Sequence, residues 1–370
     1  MFVKENKRTE MPLTRFLYMA DEVIVTFLET LLKREDLGAC YFWISEYYFS
    51  GFGVKTWHFL WKIFYDFYAI KYPKLEKYIM RQCSLWENNK HISYILDITL
   101  QLFQRQACPD VFIARHCIPE KKKYRGRPPK WLSLFPNEQK DVLLSIHNNC
   151  VPGMLFHMKL LSYNDMYEII CNYFKQVKKM SLDEGYITRL PYTNKQHVLL
   201  ALCLYLHLPQ SLIIIDEVDV APAPEDIAWI TEHNEIQITP LYKTLPEKRL
   251  YSISDTIGCF QLQRFDKRCP PVKRLLGFHW EYFASFTPLW KKRFREHKAK
   301  RSKKEFEIIF KNDDYLELFG EQYNYEPDEQ GNETQDKSIL AIERRSAKDW
   351  IKDIFGIEYD GIEVFPAYKN

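Results

Sequence analysis

The chain has 370 residues, with 52 Lys and Arg against 49 Asp and Glu and a formal net charge of +3. Hydrophobic residues make up 46% and charged residues 27%, a balance that supports a buried core and excludes a disordered polyelectrolyte. Only 12 glycines stand beside 25 Phe, 24 Tyr and 9 Trp, which excludes collagen-like and glycine-linker classes and argues against a dinucleotide fold built on glycine turns.

Read from the N-terminus, MFVKENKRTEMPLTR has no apolar core and does not read as a secretory signal. Asp21 is the predicted cap of a first helix whose inner face is Ile24, Phe27, Leu28, Leu31 and Leu32. Asp36 is the predicted cap of a second, ACYFWISEYYF, which is apolar almost all round and must be buried on several sides. A third presents Trp57, Leu60, Trp61, Phe64, Phe67 and Tyr68 on one broad face and stops before Pro73. A shorter helix runs from Lys74 to about Cys83. Asn88 or Asn89 then starts another, with Ile92, Ile95, Thr99, Leu102 and Phe103 inward. The helix pairs begin near residues 21, 54 and 89, a period that suits stacked helical hairpins, with an irregular bundle as the alternative.

Residues 119–136, PEKKKYRGRPPKWLSLFP, hold four prolines and a basic cluster and read as an exposed linker. Helices are predicted again over Glu138–Asn148, Asn164–Lys179 and Asn194–His207. Residues 196–215 are uncharged, but Pro209, Gln210 and Ser211 split them into a buried helix and a buried strand, so no membrane span is expected. SLIIID and YSISDTIGCFQLQRF are strand-like; helix returns over Lys273–Ala284 and restarts at Pro288. Near the C-terminus Trp350, Ile351, Ile354 and Phe355 share helical spacing and predict a small helix docking back on the body. The fold class is therefore mainly α: stacked helix pairs, solenoid-like or an irregular bundle, with a small β element in the second half. The expected division is a helical stack (1–118), a basic linker (119–136), a second helical region with short strands (137–304) and an acidic tail with a C-terminal helix (305–370).

Candidates for chemistry are few. The nine cysteines (40, 83, 108, 117, 150, 171, 203, 259 and 269) include no CxxC pair and read as buried reduced thiols. Cys108, His116, Cys117, His147, Cys150 and His157 lie within fifty residues, but a structural zinc site needs two tight pairs and only His147 with Cys150 has local ligand spacing. SLIIIDEVD (211–219) resembles the strand and acidic pair of a Walker B motif, yet no Gly-Lys-Ser or Gly-Lys-Thr phosphate loop accompanies it. No GxSxG, HExxH or SxxK signature occurs. No catalytic residue, metal or cofactor is assigned.

Charge placement carries the functional signal. Lys121 to Lys130 holds six cations in ten residues: Lys121, Lys122, Lys123, Arg125, Arg127 and Lys130. Its centre, Arg125-Gly126-Arg127-Pro128, resembles the core of an AT-hook, the minor-groove motif of chromatin proteins. That resemblance implies Arg inserted along a narrow A·T groove, with the bulk of affinity from phosphate neutralisation. A second strip holds Lys291, Lys292, Arg293, Arg295, Lys298, Lys300, Arg301, Lys303 and Lys304. On a continuous helix Lys291, Arg295 and Lys298 would share a face. Asn312 to Asp336 follows with nine Asp or Glu and no Lys or Arg, so self-neutralisation is the competing reading.

LLKREDLGACYFWISEYYFSGF (31–52), PLYKTLPEKRLYSISDTIGCF (240–260) and HWEYFASFTPLWKKR (279–293) resemble uncharacterised proteins of large nucleocytoplasmic DNA viruses of the mimivirus and chlorovirus kind. The resemblance implies a viral source, a location inside the host cell or in the virion, and no catalytic residues. The leading expectation is a non-enzymatic helical scaffold that binds nucleic acid through the two basic segments, with protein partners as well. The alternatives are a virion assembly protein acting through protein contacts and a metal-dependent hydrolase or degenerate ATPase around Asp216, Glu217 and Asp219.

Overall fold

The computed structural model describes residues 13–72, 75–116, 121, 127–148, 150–179, 221–232, 279–323 and 347–358. Among them are thirteen α-helices and one two-stranded antiparallel sheet. The fold is mainly α with its β element in the second half.

α1 (Ala20–Lys33) starts one residue before Asp21; the capping position falls to Met19, and the Asp21 carboxylate instead accepts from the Glu22 backbone N–H at 2.9 Å. α2 (Leu37–Tyr47) does begin on Asp36, whose Oδ1 accepts from Gly38 N–H at 2.8 Å. The apolar helix does not end there. It passes through a π-helical turn (Tyr48–Phe52) into α3 (Gly53–Phe67). The junction depends on Gly51, whose φ of 94° lies in the left-handed region; a Cβ there would stand 3.1 Å from Pro288 Cδ. α4 (Leu75–Asn89) runs past its expected end at Cys83, because Trp86 gives its last turn a further buried anchor. α5 (Ser93–Gln104) consequently starts after the asparagines, and Asn89 serves the turn by accepting from His91 N–H at 3.0 Å.

α6 (Asp110–His116) completes this first group. α5 touches α1, α2, α3 and α4, so the pairs close around a central helix as a bundle and do not extend as a linear stack. Trp57, Leu60, Trp61, Phe64, Phe67 and Tyr68 are all buried, as their spacing predicts. The proline-rich segment ends earlier than its composition suggests. A 3₁₀ turn (Lys130–Leu134) buries Leu132, and Phe135 follows it into the core. α7 (Asn137–His147) packs on both α8 (Val151–Leu160) and α9 (Tyr163–Tyr173), with α8 also against α6. α10 (Pro224–Glu232) lies on α2.

One hydrophobic cluster runs from Val25 in α1 to Phe174 after α9 and takes in Ile230, Trp350 and Ile351. The last two belong to α13 (Ala347–Phe355), which docks on α1 as its apolar spacing predicts. Trp350 is fully buried beside Phe67 and Phe112, its Nε1 donates to Glu29 Oε1 at 3.0 Å, and Lys33 pairs with Asp353 at 3.4 Å.

A second cluster is smaller and mostly aromatic. Leu13, Phe16, Leu17 and Met19 pack with Trp280, Tyr282, Phe283, Trp290, Phe294, Phe319 and Tyr323. The two clusters are joined through a buried ion pair. Arg15 Nε donates to Glu46 Oε2 at 2.7 Å, Phe16 N–H donates to Glu46 Oε1 at 2.9 Å, and Trp290 Nε1 donates to the Arg15 carbonyl at 2.8 Å. Burial pushes the Glu46 carboxyl above its ordinary value; Arg15 and the N–H donors pull against that shift.

Candidate nucleic-acid interface

The strip Lys291–Lys304 is not one helix. Thr287 caps α11 (Pro288–Glu296), its Oγ1 accepting from Trp290 N–H at 3.4 Å, with Pro288 in the first turn. The helix stops at Glu296, and Lys298 takes a left-handed φ of 53°. A hairpin follows: β1 (Lys300–Ser302) pairs antiparallel with β2 (Glu307–Ile309), with Arg301 opposite Ile308. Lys298 therefore does not share the helical face of Lys291 and Arg295. Three-residue strands inside a charged run carry almost no period-two signal, which is why the sequence reads as helix here.

The helix period still sorts the side chains. Trp290, Arg293 and Phe294 point inward, while Lys291, Lys292 and Arg295 face water. Lys298, Lys300, Arg301, Lys303 and Lys304 are exposed too, so eight of the nine cations are on the surface. The ninth, Arg293, is 5% exposed, and its guanidinium lies 5.0 Å from the Trp290 ring and 4.5 Å from that of Tyr323. It serves the aromatic cluster, not the surface. Arg301 is held outward over Phe286 at 4.1 Å and Tyr282 at 5.9 Å. Such ring contacts fix a guanidinium while leaving its N–H donors to solvent. Tyr282, Phe286 and Tyr323 escaped the sequence reading as supports; the i, i+4 spacing of Tyr282 and Phe286 just before the strip is the signal that points to them.

The acidic tract begins directly afterwards. α12 (Asp313–Tyr323) buries Phe319 and Tyr323, and Asp313, Asp314, Glu317 and Glu321 face water. His297 is bonded to Gln322 through its Nε2, at 2.9 Å, and lies against Phe319 and Tyr323. Helix and strip are thus joined by rings and a neutral amide. Among the described residues, Lys291, Arg295, Lys298, Lys300, Arg301, Lys303 and Lys304 form no ion pair with a carboxylate.

The other basic segment is described only at its ends. Lys121, Arg127, Pro128 and Lys130 are exposed; Lys122, Lys123, Arg125 and Gly126 lie outside the described residues. Directly after it, Trp131 packs edge-on against Phe135, His147 and Tyr173. This segment is therefore anchored on the large cluster, whereas Lys291–Lys304 is anchored on the small one.

The remaining candidates fare as follows. Residues 211–219 and the uncharged run 196–215 lie outside the described residues. No described helix is long and apolar enough to cross a membrane. Among the described residues no group of three or more His, Cys, Asp or Glu is arranged to hold a metal ion; His147 instead meets Tyr173 Oη at 3.3 Å. Cys40, Cys83 and Cys108 are buried thiols, and burial pushes Cys40 up to about 12 and Cys108 up to about 11, which removes their thiolate character near neutral pH. No protein-family profile, curated protein or solved structure matches this chain.

Proposed function

We propose that the protein is a non-enzymatic binding scaffold that associates with nucleic acid, with Lys291–Lys304 as its main contact and Lys121–Lys130 as a second. The observation that carries this reading is the strip itself: eight exposed cations on a short helix and hairpin, seven of them without an ion pair among the described residues despite an acidic helix next door. Cations held this way release condensed counterions when they meet phosphates, so affinity comes mainly from charge and is largely sequence-independent. An A·T preference would come only from Arg125-Gly126-Arg127. The test is affinity for a mixed-sequence duplex measured against salt. A fall of orders of magnitude between about 50 and 200 mM salt supports phosphate contacts. Affinity that does not fall, or no binding at low salt, overturns the reading.

A further inference from the structure

A cavity of about 490 Å³ opens where the π turn, the end of α4 and the start of α11 meet. That lies inside the range of small-molecule sites, roughly 300–1,000 Å³. Its lining brings the rings of Tyr48, Phe49 and Trp86 together with the cations Arg15, Lys90 and Lys292, and among the described residues includes no carboxylate.

Tyr48, Trp86 and Lys90 hold one another in place, and Arg15 is held from outside the cavity. Lys90 Nζ stands 3.9 Å from the Trp86 ring centroid, and the Lys90 carbonyl accepts from Tyr48 Oη. Trp86 Nε1 donates to that same Oη at 3.1 Å. The Arg15 guanidinium lies between the rings of Phe16 and Phe49, at 4.4 and 4.8 Å, with its Nε committed to Glu46. The walls come from an irregular turn, and π-helical turns recur at functional sites. Lys292 belongs to the basic strip, so the cavity and the proposed phosphate track are continuous.

We infer that this cavity receives one nucleotide, its flat base against the Tyr48 and Phe49 wall and its phosphate between Lys90 and Lys292. Aromatic rings accept any base face, and fixed cations beside them take the attached phosphate. The inference rests on the nucleic-acid reading and sharpens it. A base reaches the cavity only when unstacked, so a single strand is the favoured ligand over a duplex. A free mononucleotide presents the same chemistry from another source.

The experiment uses the full chain with oligothymidylate, a duplex of equal length and thymidine monophosphate. Two variants address the cavity: Val54→Trp, which fills its mouth from an exposed position, and Lys90→Glu. A third, Lys298→Glu/Lys300→Glu/Lys303→Glu/Lys304→Glu, addresses the strip. The expected result is that both cavity variants weaken single-strand binding about tenfold and leave duplex binding and its salt dependence unchanged, while the strip variant weakens both. Unchanged single-strand affinity in both cavity variants, with duplex binding still salt-dependent, overturns the cavity and leaves the nucleic-acid reading standing. Monophosphate binding that Val54→Trp abolishes, with no strand bound at all, supports the cavity as a free-nucleotide site and overturns the nucleic-acid reading. No binding of any of the three overturns both.

Discussion

The two larger hydrophobic clusters treat charge differently. Around the larger one, buried carboxylates meet aromatic donors: Tyr78 Oη bonds Asp97 at 2.5 Å, Tyr65 Oη bonds Glu76, and Trp350 Nε1 bonds Glu29. Burial, with Asp97 alongside, pushes the Tyr78 hydroxyl up to about 12. In the smaller cluster the partners of the rings are guanidinium groups, Arg15, Arg293 and Arg301, lying over ring faces. Ring faces support cations in both regions, Lys90 over Trp86 and Arg105 over Tyr72 in the larger one, whereas these ring hydroxyls and edges that take carboxylates inward belong to the larger one. The difference teaches that the aromatic excess is not one device. In the bundle it closes a core; beneath the strip it braces a basic surface.

Removing a ring from the bundle breaks this comparison most severely. Phe67→Ala strips the residue that meets Phe112, Trp350 and Phe355 and is expected to cost about 4 kcal/mol in denaturant unfolding, with α13 released. Glu46→Ala cuts the junction between the regions. It leaves Arg15 buried without its carboxylate and is expected to cost about 3 kcal/mol, with greater proteolysis around residues 13–19. If the clusters were independent, that variant would leave the smaller one intact. Gly51→Ala combines a strained φ with contact against Pro288 and is expected to cost about 1–2 kcal/mol, read as a lower unfolding midpoint.

The smallest effect sharpens the same contrast through pH. Burial, with Lys178 nearby, lowers His147 below its ordinary value. The unfolded chain then binds more protons than the folded one, so this histidine's contribution is present above the unfolded value of about 6.5 and is lost as pH falls through the folded value. Unfolding midpoints of the wild type and His147→Gln compared across pH should show the wild type losing ground to the variant on acidification. A constant difference between them would contradict the assigned direction.

Much of the helical body is legible in the sequence because each inner face repeats at helical spacing and is deeply apolar. Asp36 caps as read, and Trp350 with Ile351 announces the docking of α13. Asp21 misleads because a carboxylate is equally at home in a helix's first turn as at its cap. The bundle closure around α5 is set by contacts between distant helices, which a period cannot encode. The hairpin is hidden for a similar reason: β1 and β2 are defined by each other, not by composition. The strip's exposed charge is legible, and the buried role of Arg293 is not, since only the fold brings Tyr323 to it. The cavity is the least legible feature. Arg15, Tyr48, Lys90 and Lys292 come from four separated segments, and of these four only Lys292 lies in a segment that the sequence singles out.

The central claim is that the exposed cations of the helix and hairpin neutralise phosphates. The most direct measurement is the slope of log affinity against log salt for duplex DNA, taken for the wild type and for Lys298→Gln/Lys300→Gln/Lys303→Gln/Lys304→Gln. The slope is expected to become shallower by about 0.9 for each phosphate contact removed. An identical slope in the two proteins would contradict the account.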